Sequence, residues 1–143
     1  MSKFIHSALT CIFVLFIGIA AAFEANKIFM SFRPPVQYEQ HTAEAGTVKA
    51  GQKLVILTRI NRDRHCRASL DIFITNTESR DVVRRESVAA GATDLGTANL
   101  RRSYDIPQTT PPGDYQFISR GYYDCAEGTH VLIFPTINFR VVD

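Results

Sequence analysis

The chain changes its hydrophobic rhythm once. From Phe4 to Phe23 it reads FIHSALTCIFVLFIGIAAAF, without a single Asp, Glu, Lys or Arg. A helix needs about 20 apolar residues to cross the hydrocarbon core, and this run just meets that length. From Val36 onward the rhythm has period two. Lys53–Ile60 alternates Leu54, Ile56, Thr58 and Ile60. His65–Asn76 alternates Cys66, Ala68, Leu70, Ile72 and Ile74. Asp114–Cys125 alternates Tyr115, Phe117, Ser119, Gly121, Tyr123 and Cys125. Val131–Val142 carries Val131 and Ile133, then Ile137, Phe139 and Val141, with Pro135 between. Such alternation marks half-buried strands. Weaker strands are expected over Val36–Thr42, Asp81–Val88 and Ala98–Ile106. Turn signals at Ala50-Gly51, Ala90-Gly91, Pro111-Pro112-Gly113 and Glu127-Gly128 separate them.

The predicted fold is all-β: an immunoglobulin-like antiparallel β-sandwich of about seven strands, preceded by one N-terminal transmembrane helix. The implied organisation is an anchor over 1–23, a linker over 24–35 and the sandwich over 36–143. An open OB-type barrel is the alternative, but it needs a helix and no long 3.6-residue period follows Phe23. One position resists the pattern. Ala98, Leu100, Tyr104 and Ile106 share a face, so strict alternation buries Arg102. An unpaired buried Arg is costly, so a bulge at Arg101-Arg102 or an edge strand is expected.

The flanks of the apolar run set topology. Lys3 and the α-amino group precede it, and Glu24 follows at once. The positive-inside rule therefore puts the N-terminus in the cytoplasm and the rest in the periplasm or outside the cell. Two readings stay open: an uncleaved signal anchor, or a signal peptide cleaved after Ala22 at the Ala20-x-Ala22 site. The run exceeds the usual h-region of about 7–15 residues, which favours the anchor. A lipoprotein reading through Cys11 fails, because the apolar run follows that cysteine.

Composition narrows the function classes. The chain has 143 residues, 45% hydrophobic and 21% charged, with a net charge of +2. That excludes a wholly disordered chain and a polytopic membrane protein. Near-balance of charge argues against a dedicated nucleic-acid binder. Cys66 and Cys125 form an even pair in the exported part. In the immunoglobulin topology the strand that Cys66 opens and the strand that Cys125 closes are antiparallel neighbours, so the two cysteines fall side by side and are expected to be disulfide-bonded.

The string Val48–Ile56, Cys66, Ile106–Phe117, Tyr123–Cys125 and Phe139–Val141 resembles short, N-terminally anchored immunoglobulin-like proteins of tailed bacteriophages. The resemblance covers most of the chain and implies a fold and an envelope location, with no activity and no site residues.

No catalytic signature appears: no G-x-S-x-G, H-E-x-x-H, P-loop, EF-hand or C-x-x-C. No catalytic residue, metal or cofactor is expected. His65 and His130 lie beside Cys66 and Cys125 in sequence, and exposed loop histidines are the simpler reading of them than a metal site. Tyr115, Phe117 and Tyr123 share one parity and are expected in the core, Tyr122 outside it, and Tyr115 as a corner tyrosine bonding back to backbone. Arg59, Arg62, Arg64 and Arg67 crowd around Asp63 and form the strongest local charge. A solvated loop is the plain reading. The sharper one is contact with anionic head groups or an envelope protein, with this loop facing the membrane that holds the anchor. Three functions follow: a non-catalytic membrane-anchored binding or structural module, an envelope-active enzyme or an accessory subunit of one, and a phage-encoded envelope modifier; with a cleaved signal peptide the chain is instead a secreted periplasmic domain.

Overall fold

A computed structural model of the chain describes residues 2–92 and 94–143. The chain divides into two compact units, residues 1–34 and 35–143. The first is helix α1, Ser2–Phe32. Within it Ile12–Phe29 is long and apolar enough to span a membrane, and every side chain of that window is exposed. The helix runs beyond Phe23 through Glu24 and Lys27, which pair at 3.1 Å one turn apart. The expected linker over 24–35 is therefore helical to Phe32. Nothing between Glu24 and Phe32 is Gly or Pro, so the helix has no reason to stop until Pro34-Pro35 forbids its continuation.

The second unit is β-rich. Its strands are β1 (Val36–Ala43), β2 (Thr47–Lys49), β3 (Lys53–Arg62), β4 (Arg67–Asn76), β5 (Val82–Ala92), β6 (Gly96–Asp105), β7 (Gly113–Cys125), β8 (Gly128–Ile133) and β9 (Ile137–Val142). They form two sheets, β1-β3-β6 and β2-β9-β7-β4-β5, with β8 also paired to β7.

Among the described residues nine strands thus stand where about seven were expected. One extra strand is β2, which lies just before the Ala50-Gly51 turn and pairs parallel with β9, Thr47 opposite Arg140 and Lys49 opposite Val142. The pairing is therefore not wholly antiparallel. The other arises because Pro135 has no N–H to donate and splits the last strand. Both halves still pair with β7: Ile133 opposite Arg120, then Ile137 opposite Phe117. Ala90-Gly91 is not a turn. β5 runs through it, and Ala90 is absorbed as a bulge between the pairs Ala68–Gly91 and Ser69–Ala89. Gly51, at φ 78°, does turn the chain into β3, a conformation that favours glycine.

The inner faces follow the alternation. Leu54, Ile56 and Ile60 of β3 and Tyr115, Phe117 and Tyr123 of β7 are buried between the sheets. Tyr122 points the other way and is half-buried. The Tyr115 hydroxyl donates to the Pro111 carbonyl at 2.8 Å, the expected corner bond. Arg102 is solved by position. The β3–β6 register is unbroken, with Ile56 opposite Arg102, so no bulge forms. β6 is instead an edge strand, and the half-buried guanidinium reaches the open side.

Candidate functional site: a cavity between the sheets

The inner rows of β3 and β7 do not fill the space between the sheets evenly. At mid-sandwich β3 offers Thr58, and β7 offers Ser119 and then Gly121. Large side chains resume on both sides of this level. Two core clusters result, one around Ile72, Ile74, Tyr115 and Phe139, the other around Val36, Ile60, Cys66 and Phe134. Between them lies a cavity of about 50 Å³ whose walls include Ile56, Phe117 and Phe134. On that scale a water needs ~10–15 Å³, so there is room for about four.

His41 projects into this space. Strict alternation from Val36 points Tyr38, Gln40 and Thr42 inward. A bulge at Glu39, between the pairs Tyr38–Ile60 and Gln40–Arg59, reverses the phase. His41 then faces Thr58 on β3. Its Nδ1 lies 2.9 Å from Thr58 Oγ1, and its Nε2 lies 3.3 Å from Ser119 Oγ. The rings of Phe134 and Phe117 flank it, centroids at 4.9 and 6.0 Å. Burial pushes the His41 pKa down to about 4, so the imidazole is neutral at pH 7. One ring nitrogen then donates and the other accepts, and the two hydroxyls complete the row. The geometry places a hydroxyl beside an imidazole, as nucleophilic catalysis requires. The chemistry does not match. A base with a pKa of about 4 is a weak proton acceptor, and Ser119 is buried at 1% exposure.

The mouth of the cavity is cationic. Arg62 and Arg102 both line it, from inward positions on neighbouring strands. Burial raises the pKa of Tyr123 and of Tyr104. The charges of Arg62 and Arg102 both act on Tyr123 in the opposite sense, and Arg102 does the same at Tyr104.

The expected basic surface is dispersed by the fold. Arg59 points outward from the β1-β3-β6 sheet and pairs with Glu39 at 2.8 Å. Arg62 turns into the cavity mouth. Arg64 is 11% exposed and pairs with Glu127. Arg67 points outward from the other sheet, where its strand partner is Asp124. Neighbours in sequence, the four arginines face different ways, because β3 ends and β4 begins between them. They do not make one anionic-surface patch.

Cys66 and Cys125 are brought together as expected, with Cα atoms 4.5 Å apart and the sulfurs bonded. Cys66 sits one residue before β4, not inside it. Cys125, Glu127 and His130 place potential ligand atoms within 4.8 Å of one another. The disulfide occupies the sulfur, and Arg64 occupies the carboxylate, so the trio acts as a structural cluster. His65 is exposed and lies outside it.

No protein-family model matches the chain, and no curated protein does either. Among solved structures it is similar to the alkylpurine DNA glycosylase AlkC of Pseudomonas fluorescens bound to abasic-site DNA. The identity is 13% and the TM-score 0.53, over 78% of this chain and 31% of that one. It is also similar to the sporulation control protein Spo0M of Bacillus subtilis, at 9% identity and TM-score 0.46, over 78% of this chain and 51% of that one. A family 123 glycoside hydrolase from Clostridium perfringens matches at 14% identity and TM-score 0.49, over 68% of this chain and 22% of that one. The chain spans about a third of the glycosylase. The likeness concerns the fold of a β-sheet domain alone.

Proposed function

We propose that this chain is a membrane-anchored module of the immunoglobulin-like kind, held outside the cytoplasm, which acts by binding and not by catalysis. The observation that carries the reading is α1, whose exposed apolar window Ile12–Phe29 belongs to a unit separate from the sandwich. A single apolar helix with an exposed window of this length is suited to a bilayer. Lys3 before it and Glu24 after it favour a cytoplasmic N-terminus. The Cys66–Cys125 bond suits an oxidising compartment such as the periplasm or the cell exterior. The corner bond of Tyr115 and the two-sheet arrangement favour the immunoglobulin-like description. The motif resemblance supports reading it as a phage-encoded module of the host envelope.

Topology fusions test the reading. Alkaline phosphatase fused after Asp143 should be active, and a green fluorescent protein in the same place dark. The opposite pair of results overturns it. A mature N-terminus at Phe23 would replace the anchor by a cleaved signal.

A further inference from the structure

We propose that the cavity between the sheets binds a small organic anion, a carboxylate on a short apolar tail, with its head between Arg62 and Arg102 and its tail toward Phe117 and Phe134. This deepens the binding-module reading and rests on it.

The first argument is charge. Arg62 and Arg102 occupy inward positions of adjacent strands and line the same cavity. Among the described residues neither has a carboxylate within ion-pair distance, although Arg59, Arg64, Arg84, Arg101 and Arg140 each have one. The nearby carboxylate of Glu86, on β5, is held by Arg84 through Nε at 3.2 Å and Nη2 at 2.7 Å. A half-buried cation without a counter-charge is unfavourable. A guanidinium presents a fork of donors that matches a carboxylate in two bonds. Tyr123 feels the charge of both guanidiniums and Tyr104 that of Arg102, and both hydroxyls stay protonated, since burial raises their pKa values. They add neutral donors at an anion's head.

The second argument is the wall. Behind the arginines the lining is Ile56, Leu70, Leu100, Phe117 and Phe134. The polar floor is already paired within itself: His41 bonds Thr58 and Ser119. It asks nothing of a ligand, so the interior suits a tail and not a second polar group. The third argument is size. About 50 Å³ admits around four waters, hence a tail of roughly three to five carbons. Long acyl chains do not fit, which separates this site from simple capture of bilayer lipid.

The test uses the full chain in nanodiscs of zwitterionic lipid, with empty nanodiscs as blank. The probe is pentanoate, read by saturation-transfer difference at its terminal methyl. Specific binding is expected, with acetate, 1-pentanol and inorganic phosphate each at least tenfold weaker. Raising salt from 50 to 500 mM should weaken pentanoate and leave pentanol unchanged. Arg102→Leu and Arg62→Leu should each lower affinity about tenfold. Ala68→Leu, which fills the tail space and keeps both arginines, should shift preference from pentanoate toward acetate. Equal binding of pentanol and pentanoate overturns the proposal, and so does absence of binding to the wild-type chain. Neither readout depends on a variant folding. The phosphatase and fluorescence fusions decide the anchored topology whatever pentanoate does, so the two readings fail separately.

Discussion

Glu127, in the turn between β7 and β8, takes the guanidinium of Arg64 from the loop between β3 and β4. The two side chains are 18% and 11% exposed, and His130 Nε2 lies 3.6 Å from the same carboxylate. Cys66–Cys125 lies beside this pair in both segments. One end of the sandwich is thus closed twice, by a covalent bond and by an ion pair that water barely reaches. Arg64, one of the four arginines that give this stretch its charge, thus holds the loop in place.

Removing one partner of this pair strands the other charge. Glu127→Gln should destabilise the protein by about 2 kcal/mol, less than for a fully buried pair because both groups keep some solvent contact. Arg59→Gln, at an exposed pair with Glu39, should cost at most about 0.5 kcal/mol. Urea denaturation of both variants checks the contrast. Equal effects would show that the clamp is no stronger than a surface pair.

Reducing the disulfide releases a loop spanning 59 residues of sequence. Cys66→Ser with Cys125→Ser should lower stability by about 4 kcal/mol in the chain-entropy description. Thermal melts with and without dithiothreitol provide the measurement. The wild-type midpoint should fall with reductant, and the double variant should be indifferent to it.

His41 makes stability depend on pH. Its folded pKa, about 4, lies below the unfolded value of 6.5. Between the two, the unfolded chain binds the proton and the folded one does not. Stability is therefore full well above pH 6.5 and falls as the pH drops toward 4, by at most about 2 kcal/mol at pH 5 because solvent screens the exposed part of the ring. Thr58 and Ser119 share the His41 hydrogen bonds, and Arg62 and Arg102 are the charged groups that line the same cavity. His41→Gln should flatten the slope between pH 7 and 5. Chemical denaturation at those two values checks it, and an unchanged slope would refute the role.

Tyr115 is fully buried, with one polar bond, to Pro111. Tyr115→Phe should cost about 1 kcal/mol and leave the fold intact. A loss well above that, by equilibrium unfolding, would mean that the hydroxyl holds the β6–β7 connection in place and does not merely cap it.

Period-two alternation was enough to place most strands, because burying one face of a sheet dictates every second residue. Leu54, Ile56, Ile72, Ile74, Tyr115 and Phe117 were all legible in this way. So was the hole at mid-sandwich in part, since Ser119 and Gly121 interrupt the inner row of β7. The bulge at Glu39 was not legible. Alternation carries no mark of a residue that leaves the ladder, and so His41 was missed although it is the most perturbed titratable side chain described.

The sequence pattern determined the apolar helix and the β-rich domain, and an assumed strand order added the pairing of Cys66 with Cys125. Each follows from short-range periodicity or from which strand ends a sandwich brings together. The direction of each arginine was decided only by tertiary structure. Arg59 and Arg67 lie on opposite outer faces, Arg62 and Arg102 meet at one cavity, and Arg64 closes the end of the domain. Charge density along a chain adds residues that the fold then separates. A side chain's surroundings depend on sheet register, edge position and distant partners, and none of these is written within nine consecutive residues.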